Sequence, residues 1–276
     1  MSTFKSILLH VDASAACTAR LRSAMQLARQ YDAAVTALYA VLPTTLQYPY
    51  TTVFSGDTAA AYQQFDDERL ARARARFGAT IGDAARIRWA ELVGEPISGF
   101  TRQAFYADLL LLARGDPDDA TPSGVPADFV ESVLVQSGTP ALVLPHGSGA
   151  GAVGRVALVA WKETRESARA LHAALPFLQR AERVEVASWG DAAALGEAGP
   201  LDVESLLRSH GIAARVHHHG KESPELGEYL LSLTVDVGAD LLVMGCYGHS
   251  RARELVLGGA TRSVLKSLTL PVLMAH

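Results

Sequence analysis

Glycines near the C-terminal end of the sequence have the type and spacing needed to hold an anion. They are Gly245, Gly248, Gly258 and Gly259. Two residues separate the first from the second, nine separate the second from the third, and a helical pattern begins at Ala260. Glycines between a strand and a helix let backbone N–H groups approach an anion, and the helix dipole favours negative charge there. The spacing therefore predicts a phosphate-binding loop at residues 245–261.

A catalytic serine is the competing interpretation of this stretch. Ser250 lies in the run GHSRA, which has the form of a nucleophile elbow with alanine as its last residue. A hydrolase of that type needs an acid and then a histidine later in the chain. No aspartate follows Ser250, and the only later histidine is His276. A binding loop is therefore favoured over a hydrolase. The loop is not a GxxxxGK[ST] sequence, and no GxGxxG sequence follows the first strand.

Other polar groups leave two interpretations open. His217 and His219 would share one face of a strand, so they either bind a metal or lie at a solvated strand end, and the second is favoured. Arg251 and Arg253, inside the nine-residue spacer, either reach a phosphate or lie in solvent. Cys246 is interpreted as an inert small residue.

Composition narrows the class of protein. The chain has 276 residues with 49% hydrophobic and 20% charged residues, which is typical of a globular protein long enough for two domains. A net charge of −4 without a basic block argues against nucleic acid as a partner. Two cysteines fit a reducing cytoplasm. Neither a signal peptide nor an apolar run of the roughly 18 residues that a membrane span needs is expected.

The chain repeats itself. Residues 5–12, KSILLHVD, correspond to residues 155–162, RVALVAWK, and residues 107–111, ADLLL, correspond to residues 239–243, ADLLV. A glycine-rich segment, HGSGAGAVG, lies between the halves. We therefore predict a first domain at residues 1–146, a linker at 147–154 and a second domain at 155–276.

Each half alternates short apolar runs with helical patterns. This order predicts an α/β fold in which each domain is a five-stranded parallel sheet with helices on both faces. Ligands bind such sheets beyond the carboxyl ends of the strands. Asp12, Gly115, Lys162 and Gly245 are predicted to lie at those ends. The strands that close the halves, residues 141–144 and 272–275, are predicted to be sheet edges, which invite pairing.

On the glycine spacing and the repeat, the sequence resembles a tandem universal stress protein over nearly its whole length. The resemblance implies two Rossmann-like domains of the adenine nucleotide alpha hydrolase type, paired within the chain as a pseudo-dimer. It also implies that the glycine loop holds the phosphates of ATP, with or without Mg²⁺, and that the ends of the first two strands hold the adenosine. Carried over to the second half, it assigns Ala160, Trp161, Lys162, Ala187, Met244, Gly245, Gly248, His249, Gly258, Gly259, Ala260 and Thr261.

The sequence departs from the family pattern in both halves. The first half has the usual acid, Asp12, but no glycine loop, and three acids after Gly115 would repel a triphosphate. The second half has the loop, but it has Lys162 where the acid is usual and Gly259 where a hydroxyl residue is usual. Lysine donates hydrogen bonds and cannot accept them from ribose hydroxyls. Neighbouring Glu163 is the alternative acid.

The resemblance implies a cytoplasmic regulator of the stress response that binds an adenine nucleotide in the second domain and exchanges its protein partners, which are unidentified, under stress. We expect binding without substantial turnover; weak ATP hydrolysis and further dimerisation stay open. The alternative is a nucleotide-free interaction protein whose glycine loop is a relic. Lys162 and the acids after Gly115 favour that alternative.

Overall fold

A computed structural model describes residues 3–48, 56–82, 84, 86–92, 94–114, 123–146, 151, 153–190, 201–220, 225–247 and 259–276. By their contacts these residues divide into two compact units. Residues 4–139 make up most of one, here called the N-terminal unit. Residues 140–145 and 151–276 make up most of the other, the C-terminal unit.

The N-terminal unit is a parallel sheet with helical connections. Its described strands are β1 Ser6–Val11, β2 Ala34–Tyr39, β3 Ile87–Glu91 and β4 Leu109–Ala113. Its described helices are α1 Cys17–Tyr31, α2 Thr44–Gln47, α3 Gly56–Ile81, α4 Pro96–Ala104 and α5 Phe129–Ser137. The strands lie in the order β3-β2-β1-β4, and each neighbouring pair is parallel.

The C-terminal unit repeats this arrangement. Its described strands are β5 Ala141–Leu144, β6 Val156–Trp161, β7 Arg183–Ser188, β8 Ala214–His218, β9 Leu241–Gly245 and β10 Val272–Ala275. Its described helices are α6 Arg165–Leu178, α7 Val203–Ser209, α8 Leu226–Asp236 and α9 Ala260–Lys266. The strand order is β5-β10-β9-β6-β7-β8.

The central strands are apolar along their whole length because both faces of a parallel sheet are covered. All residues of β4 are buried, and β9 is buried from Leu241 to Met244. Such continuous burial explains why these strands are unbroken apolar runs rather than alternating patterns. The predicted α/β fold, with a mostly parallel sheet, is confirmed.

Strand β5, which closes the first half of the sequence, has the one antiparallel pairing among the described strands. By its contacts it groups with the C-terminal unit, where it pairs antiparallel with β10. The register joins Val272 to Val143 and Met274 to Ala141. This pairing satisfies backbone groups that β10 would otherwise present at a sheet edge. The domain boundaries at 1–146, 147–154 and 155–276, and the pseudo-dimer, stay predictions.

The connection after β2 contains a short helix, α2, at Thr44–Gln47. The carboxylate of Asp66, in α3, accepts hydrogen bonds from the Thr44 backbone N–H at 2.9 Å and from the Thr44 hydroxyl at 2.6 Å. A tertiary contact with α3 therefore fixes the start of this short helix.

Candidate functional site

Three predicted site residues lie level with one another at the carboxyl edge of the C-terminal unit. Ala160 of β6 is in register with Ala187 of β7 on one side and with Met244 of β9 on the other. The three residues are far apart in the sequence. Because the strands are parallel, the segments that follow them all emerge at this edge, as we predicted.

Gly245, the last residue of β9, allows a close approach of strand and helix. A Cβ atom at this position would lie 2.6 Å from the backbone N of Ser167 and 2.7 Å from the backbone C of Glu166. Both residues are in the first turn of α6. The structure therefore gives this glycine a packing role: it brings the N-terminal turn of α6 against the strand that carries the predicted loop.

The start of the predicted loop is held by hydrogen bonds. The Cys246 N–H donates to the Ala275 carbonyl at 2.9 Å, and Nδ1 of His276 lies 3.0 Å from the Cys246 carbonyl oxygen. Tyr247 has a left-handed backbone, with φ at 55°, and its N–H donates to the Thr261 hydroxyl at 3.3 Å. Such a conformation is unfavourable for a bulky residue unless its surroundings enforce it. The beginning of the loop and the start of α9 are thus joined.

The other predicted loop residues divide into two groups. Gly259 precedes α9, and its carbonyl accepts from the Arg262 N–H at 2.9 Å. Ala260 packs against α8, because a Cβ on Gly227 would lie 2.8 Å from the Ala260 carbonyl oxygen. Thr261 is 3% exposed, and its hydroxyl accepts the bond from Tyr247. Outside the described residues lie Gly248, His249, Ser250, Arg251, Arg253 and Gly258.

The end of β6 and the residues that follow it form the middle of this edge. Trp161 and Lys162 are half-buried, and the Trp161 carbonyl accepts from the Trp189 N–H at 3.0 Å. The Lys162 carbonyl accepts from the Thr164 N–H at 2.7 Å, and Thr164 caps α6 by accepting from the Ser167 N–H. Lys162 lies directly after β6, as we predicted.

Glu166 is an acid at this edge that the sequence interpretation missed. We considered Glu163 as the substitute for the usual aspartate, but Glu163 is exposed, whereas Glu166 is 3% exposed. Burial raises the pKa of Glu166, but the hydrogen bond from Arg165, the Arg165 charge and hydrogen bonds within the first turn together outweigh burial, and the pKa is lowered. A signal was present in the sequence, because acids in the first turn of a helix complement its dipole.

In the N-terminal unit, Asp12 directly follows β1 as Lys162 follows β6, and this acid is already paired. Asp12 is 3% exposed, and its carboxylate accepts from Arg20 of α1 at 2.6 Å and from the Ser14 N–H at 2.8 Å. Burial alone would raise the pKa of Asp12, but the Arg20 guanidinium holds it well below its usual range. The carboxylate thus serves an internal ion pair. The sequence interpretation did not single out Arg20.

His10 completes this buried cluster. Its Nε2 lies 2.8 Å from the Ala40 carbonyl oxygen and its Nδ1 lies 3.2 Å from Nη1 of Arg20. Its ring contacts those of Phe100 and Phe129. Burial and the Arg20 charge lower the pKa of His10 to about 4, so the imidazole is neutral at pH 7. A neutral, fully buried histidine of this kind stabilises the unit rather than serving a ligand.

Helix α3 covers the carboxyl edge of the N-terminal unit. Nη1 of Arg76 donates to the Ala13 carbonyl at 2.6 Å, and Nη2 of Arg69 donates to the Leu42 carbonyl at 3.0 Å. Ala73 of the same helix belongs to a buried apolar cluster with Tyr39 and others at the strand ends. The space beyond β1 and β2 is therefore filled by side chains of the chain itself.

His217, in β8, and His219, directly after it, have separate contacts. Nε2 of His217 lies 2.9 Å from the buried carboxylate of Glu185 in β7. The His219 ring stacks on Trp189 with centroids 5.1 Å apart, and its Nδ1 lies 3.2 Å from the Tyr229 hydroxyl. The two rings that we weighed as a metal pair thus have different neighbours.

None of the helices in the described part of the chain is long and apolar enough to cross a membrane.

Comparison with known proteins gives the family. The model of the universal stress protein family matches residues 3–115 and 155–276. A universal stress protein of Synechocystis sp. is 46% identical over 46 residues, which is 17% of this chain and 16% of that protein. The chain therefore matches less than a fifth of that relative's length.

Two solved structures share the fold over nearly the whole chain. One is a universal stress protein from Archaeoglobus fulgidus DSM 4304, 17% identical with a TM-score of 0.70, covering 98% of this chain and 95% of that one. The other, from Pseudomonas aeruginosa UCBPP-PA14 and named for the same family, is 13% identical with a TM-score of 0.59, covering 99% and 93%. Because the family model matches both halves, the chain belongs to the universal stress protein family and carries two of its domains in tandem.

Proposed function

We propose that this protein is a cytoplasmic stress-response regulator that binds an adenine nucleotide, ATP, at the carboxyl edge of the C-terminal unit. The phosphates would contact backbone N–H groups of the loop 245–261, with or without Mg²⁺, and the adenosine would lie across the ends of β6 and β7. Binding and release of the nucleotide would change the affinity for a protein partner.

The level arrangement of three strand ends carries this proposal. Ala160, Ala187 and Met244 lie side by side near the ends of β6, β7 and β9, and the first two have small side chains. Neighbouring strands are about 4.8 Å apart, so three strand ends extend over roughly 10 Å, a length suited to a nucleoside and its phosphates. The glycine loop begins at one end of this row.

The contrast with the N-terminal unit supports one site rather than two. There the acid after β1 is neutralised by Arg20, and α3 side chains contact the Ala13 and Leu42 carbonyls beyond the strands. A nucleotide would have to displace these buried contacts. Because breaking a buried ion pair is costly, we assign binding to the C-terminal unit alone.

The proposal is for binding rather than turnover. General base catalysis needs a group within hydrogen-bond reach of the attacking water. The described polar groups nearest the loop are already engaged: the Thr261 hydroxyl accepts from Tyr247, and the Glu166 carboxylate accepts from Arg165. We therefore expect the bound nucleotide to act as an effector.

The second candidate is an interaction protein that binds no nucleotide. Lys162 favours it, because a lysine cannot accept hydrogen bonds from ribose hydroxyls. The two candidates differ in one observable: nucleotide released on denaturing the freshly purified protein is expected only from the first.

Calorimetric titration with ATP and Mg²⁺ tests the proposal. Gly248→Val and Gly258→Val place side chains where phosphate must approach the backbone, so both should abolish binding. Gly151→Val is the matched control, because a Cβ at exposed Gly151 would meet nothing within 4 Å. Absence of heat at millimolar ATP, in wild-type protein shown to be folded and nucleotide-free, would overturn the proposal.

A further inference from the structure

Strand β8 forms the outer edge of the sheet in the C-terminal unit. It is the last strand in the order β5-β10-β9-β6-β7-β8, and none of its five residues is buried. The side chain of Arg215 is 77% exposed and that of His217 is 53% exposed. An edge strand that is open to solvent is a template for pairing with another chain. The side chains of β8 are therefore accessible to a partner.

The backbone of β8 can form hydrogen bonds on the side away from β7. The His219 N–H donates to the Ser188 carbonyl in β7 at 2.9 Å, so the backbone of His219 faces β7. Backbone groups point alternately to the two sides of a parallel strand, so those of Ala214, Val216 and His218 face outward. No strand among the described residues pairs with β8 on that side. A row of donors and acceptors is thus open to a further strand.

One face of this edge carries an excess of positive charge. The buried Glu185 carboxylate in β7 lies 2.9 Å from Nε2 of His217 and 3.4 Å from Nε of Arg183. Arg215 lies level with Glu185 in the register, and its Nη1 is 3.9 Å from the same carboxylate. One carboxylate therefore serves two guanidinium groups. The surplus charge lies on exposed side chains, so an acidic partner would be complementary to this face.

The other face of β8 is apolar at its centre. Val216 is half-buried and lies level with Val186 of β7. A strand added beside β8 would place its side chains alternately along the two faces. Acidic side chains would lie beside Arg215 and His217, and apolar side chains beside Val216. The edge therefore fits an extended segment in which acidic and apolar residues alternate.

The corresponding strand of the N-terminal unit, β3, has different surroundings. Trp89, the third residue of β3 as Val216 is of β8, contacts the Phe77 ring of α3 with centroids 5.2 Å apart. The last residue of β3, Glu91, is paired with Arg74 of α3 at 2.6 Å. A helix of the same unit thus contacts the side chains of β3, and the strand ends in an acid. Complementarity to an acidic segment distinguishes β8 from β3.

We propose that β8 binds an extended acidic segment of a partner protein by strand addition, with the acids of that segment beside Arg215 and His217. Main-chain hydrogen bonds give such binding its affinity, and alternate side chains give it specificity. Glu185 is one strand further from the segment, because β8 lies between them. This inference names the chemistry of the protein partner and rests on the proposed function only for the existence of that partner. It requires no nucleotide.

The test uses a synthetic peptide of about seven residues in which Glu and Val alternate, which is long enough to span β8. The peptide carries a fluorophore, and its anisotropy is followed as full-length, nucleotide-free protein is added to millimolar concentration. A peptide with Lys in place of each Glu is the charge control. Two further peptides carry N-methyl groups, one on every Glu and the other on every Val. Alternate residues of a strand face opposite sides, so only one of these two sets blocks hydrogen bonds to β8.

Two pairs of variants locate the binding site. Val216→Pro removes an outward N–H, which an edge strand tolerates, and Val216→Thr retains it as the control. Arg215→Glu reverses the charge beside the added strand. Arg88→Glu is its control, because Arg88 is the exposed second residue of β3 as Arg215 is of β8. Thermal unfolding of each variant establishes that it is folded, and the methylated peptides test the wild-type protein independently of the variants.

We expect the wild type to bind the Glu peptide at least about tenfold more tightly than the Lys peptide, since opposite charges across strands attract and like charges repel. Val216→Pro and Arg215→Glu should each weaken binding at least about fivefold, while both controls bind as the wild type does. The two methylated peptides should differ in affinity by at least about tenfold, because several hydrogen bonds are lost in only one of them.

Three results would overturn the inference and leave the proposed function standing. Equal affinity for the two methylated peptides would mean that charge alone attracts the peptide. A wild-type dimer that Val216→Pro dissociates and Val216→Thr does not, without peptide binding, would assign this edge to a second copy of the chain. Absence of binding at millimolar protein would leave the charges of β8 with the role of protecting the edge from aggregation.

Discussion

The carboxyl edges of the two units start from corresponding sequences and differ in what lies beyond the strands. Beyond β1 the Asp12 carboxylate pairs with Arg20. Arg76 and Arg69 of α3 donate hydrogen bonds to backbone carbonyls in the neighbouring loops. At the end of β6, Ala160 lies level with Ala187 of β7, and Trp161 and then Lys162 follow Ala160. A domain can thus keep its strand order while its ligand edge becomes part of its core.

The difference also shows how buried charge decides the role of a residue. An aspartate that a resemblance associates with ribose is neutralised here by an arginine eight positions later, inside the same unit. A buried ion pair is costly to open, because each partner would be left in a poorly solvating environment. The N-terminal edge is consequently expected to be rigid and ligand-free, and the C-terminal edge to accept a ligand.

The largest expected effect comes from breaking the N-terminal ion pair. Arg20→Met leaves the Asp12 carboxylate buried without its cation and should lower the free energy of unfolding at pH 7 by about 3–5 kcal/mol. The comparison variant in the other unit, Lys162→Met, should cost less than about 1 kcal/mol. Urea denaturation measures both. Similar small losses in the two variants would show that the edges do not differ in this way.

The next effect is the pH dependence that His10 gives to the N-terminal unit. The pKa of His10 is lowered from 6.5 to about 4, so the unfolded chain takes up its proton at a higher pH than the folded unit does. Stability is therefore fully present above about pH 6.5 and is lost as the pH falls towards 4, by an amount on the order of 3 kcal/mol. The lowered pKa of Asp12 also makes the unit less stable as the pH falls, at still lower pH.

A single-tryptophan protein makes this measurable. Of the three tryptophans, Trp89 is in β3 of the N-terminal unit, so Trp161→Phe with Trp189→Phe leaves a reporter of that unit. Urea midpoints followed by its fluorescence should fall between pH 6.5 and 4, and His10→Gln should flatten that dependence. An unchanged slope in His10→Gln would remove His10 from the explanation.

A smaller effect is expected where β9 meets α6. Gly245→Ala places a methyl group 2.6 Å from the Ser167 backbone N, which cannot move without shifting the helix. We expect a loss of about 2 kcal/mol in the free energy of unfolding, as overpacking of a rigid contact gives. Gly151→Ala, at an exposed glycine with open space around it, is the control and should change it by less than about 0.5 kcal/mol.

The smallest effect concerns the bond that joins the loop to α9. Thr261→Val removes the acceptor of the Tyr247 N–H while keeping the side-chain shape, and should cost about 1 kcal/mol. Thr261→Ser retains the hydroxyl and should recover the acceptor. Faster amide hydrogen exchange at Tyr247 in the valine variant alone would identify this bond; equal exchange in both variants would exclude it.

The sequence was sufficient for the parallel α/β fold and for the position of the strand ends. Apolar runs followed by glycine or a charged residue identified the ends of β1, β6 and β9, because a buried strand must stop where polar residues begin. The repeat then placed Lys162 and Asp12 at equivalent points.

Contacts between elements could not be predicted in the same way. Arg20 lies in a helix where arginine is ordinarily a solvent-exposed residue, and nothing in its neighbours shows that it turns towards Asp12. The close contact of Gly245 with α6 was not predicted, because it depends on how the helix packs against β9, which the spacing of glycines in the sequence does not show. That residues 141–144 and 272–275 invite pairing was predicted, but the antiparallel register of β5 with β10 joins segments more than a hundred residues apart and could not be predicted.

The number of nucleotides bound per chain tests the difference between the two edges most directly. Equilibrium dialysis of the wild-type protein with labelled ATP should give one nucleotide per chain, and Gly258→Val should reduce this to none. Arg20→Met, examined under conditions where it is folded, should leave the number at one, because the N-terminal edge contributes no site. Two nucleotides per wild-type chain, or none at millimolar ATP, would contradict the account.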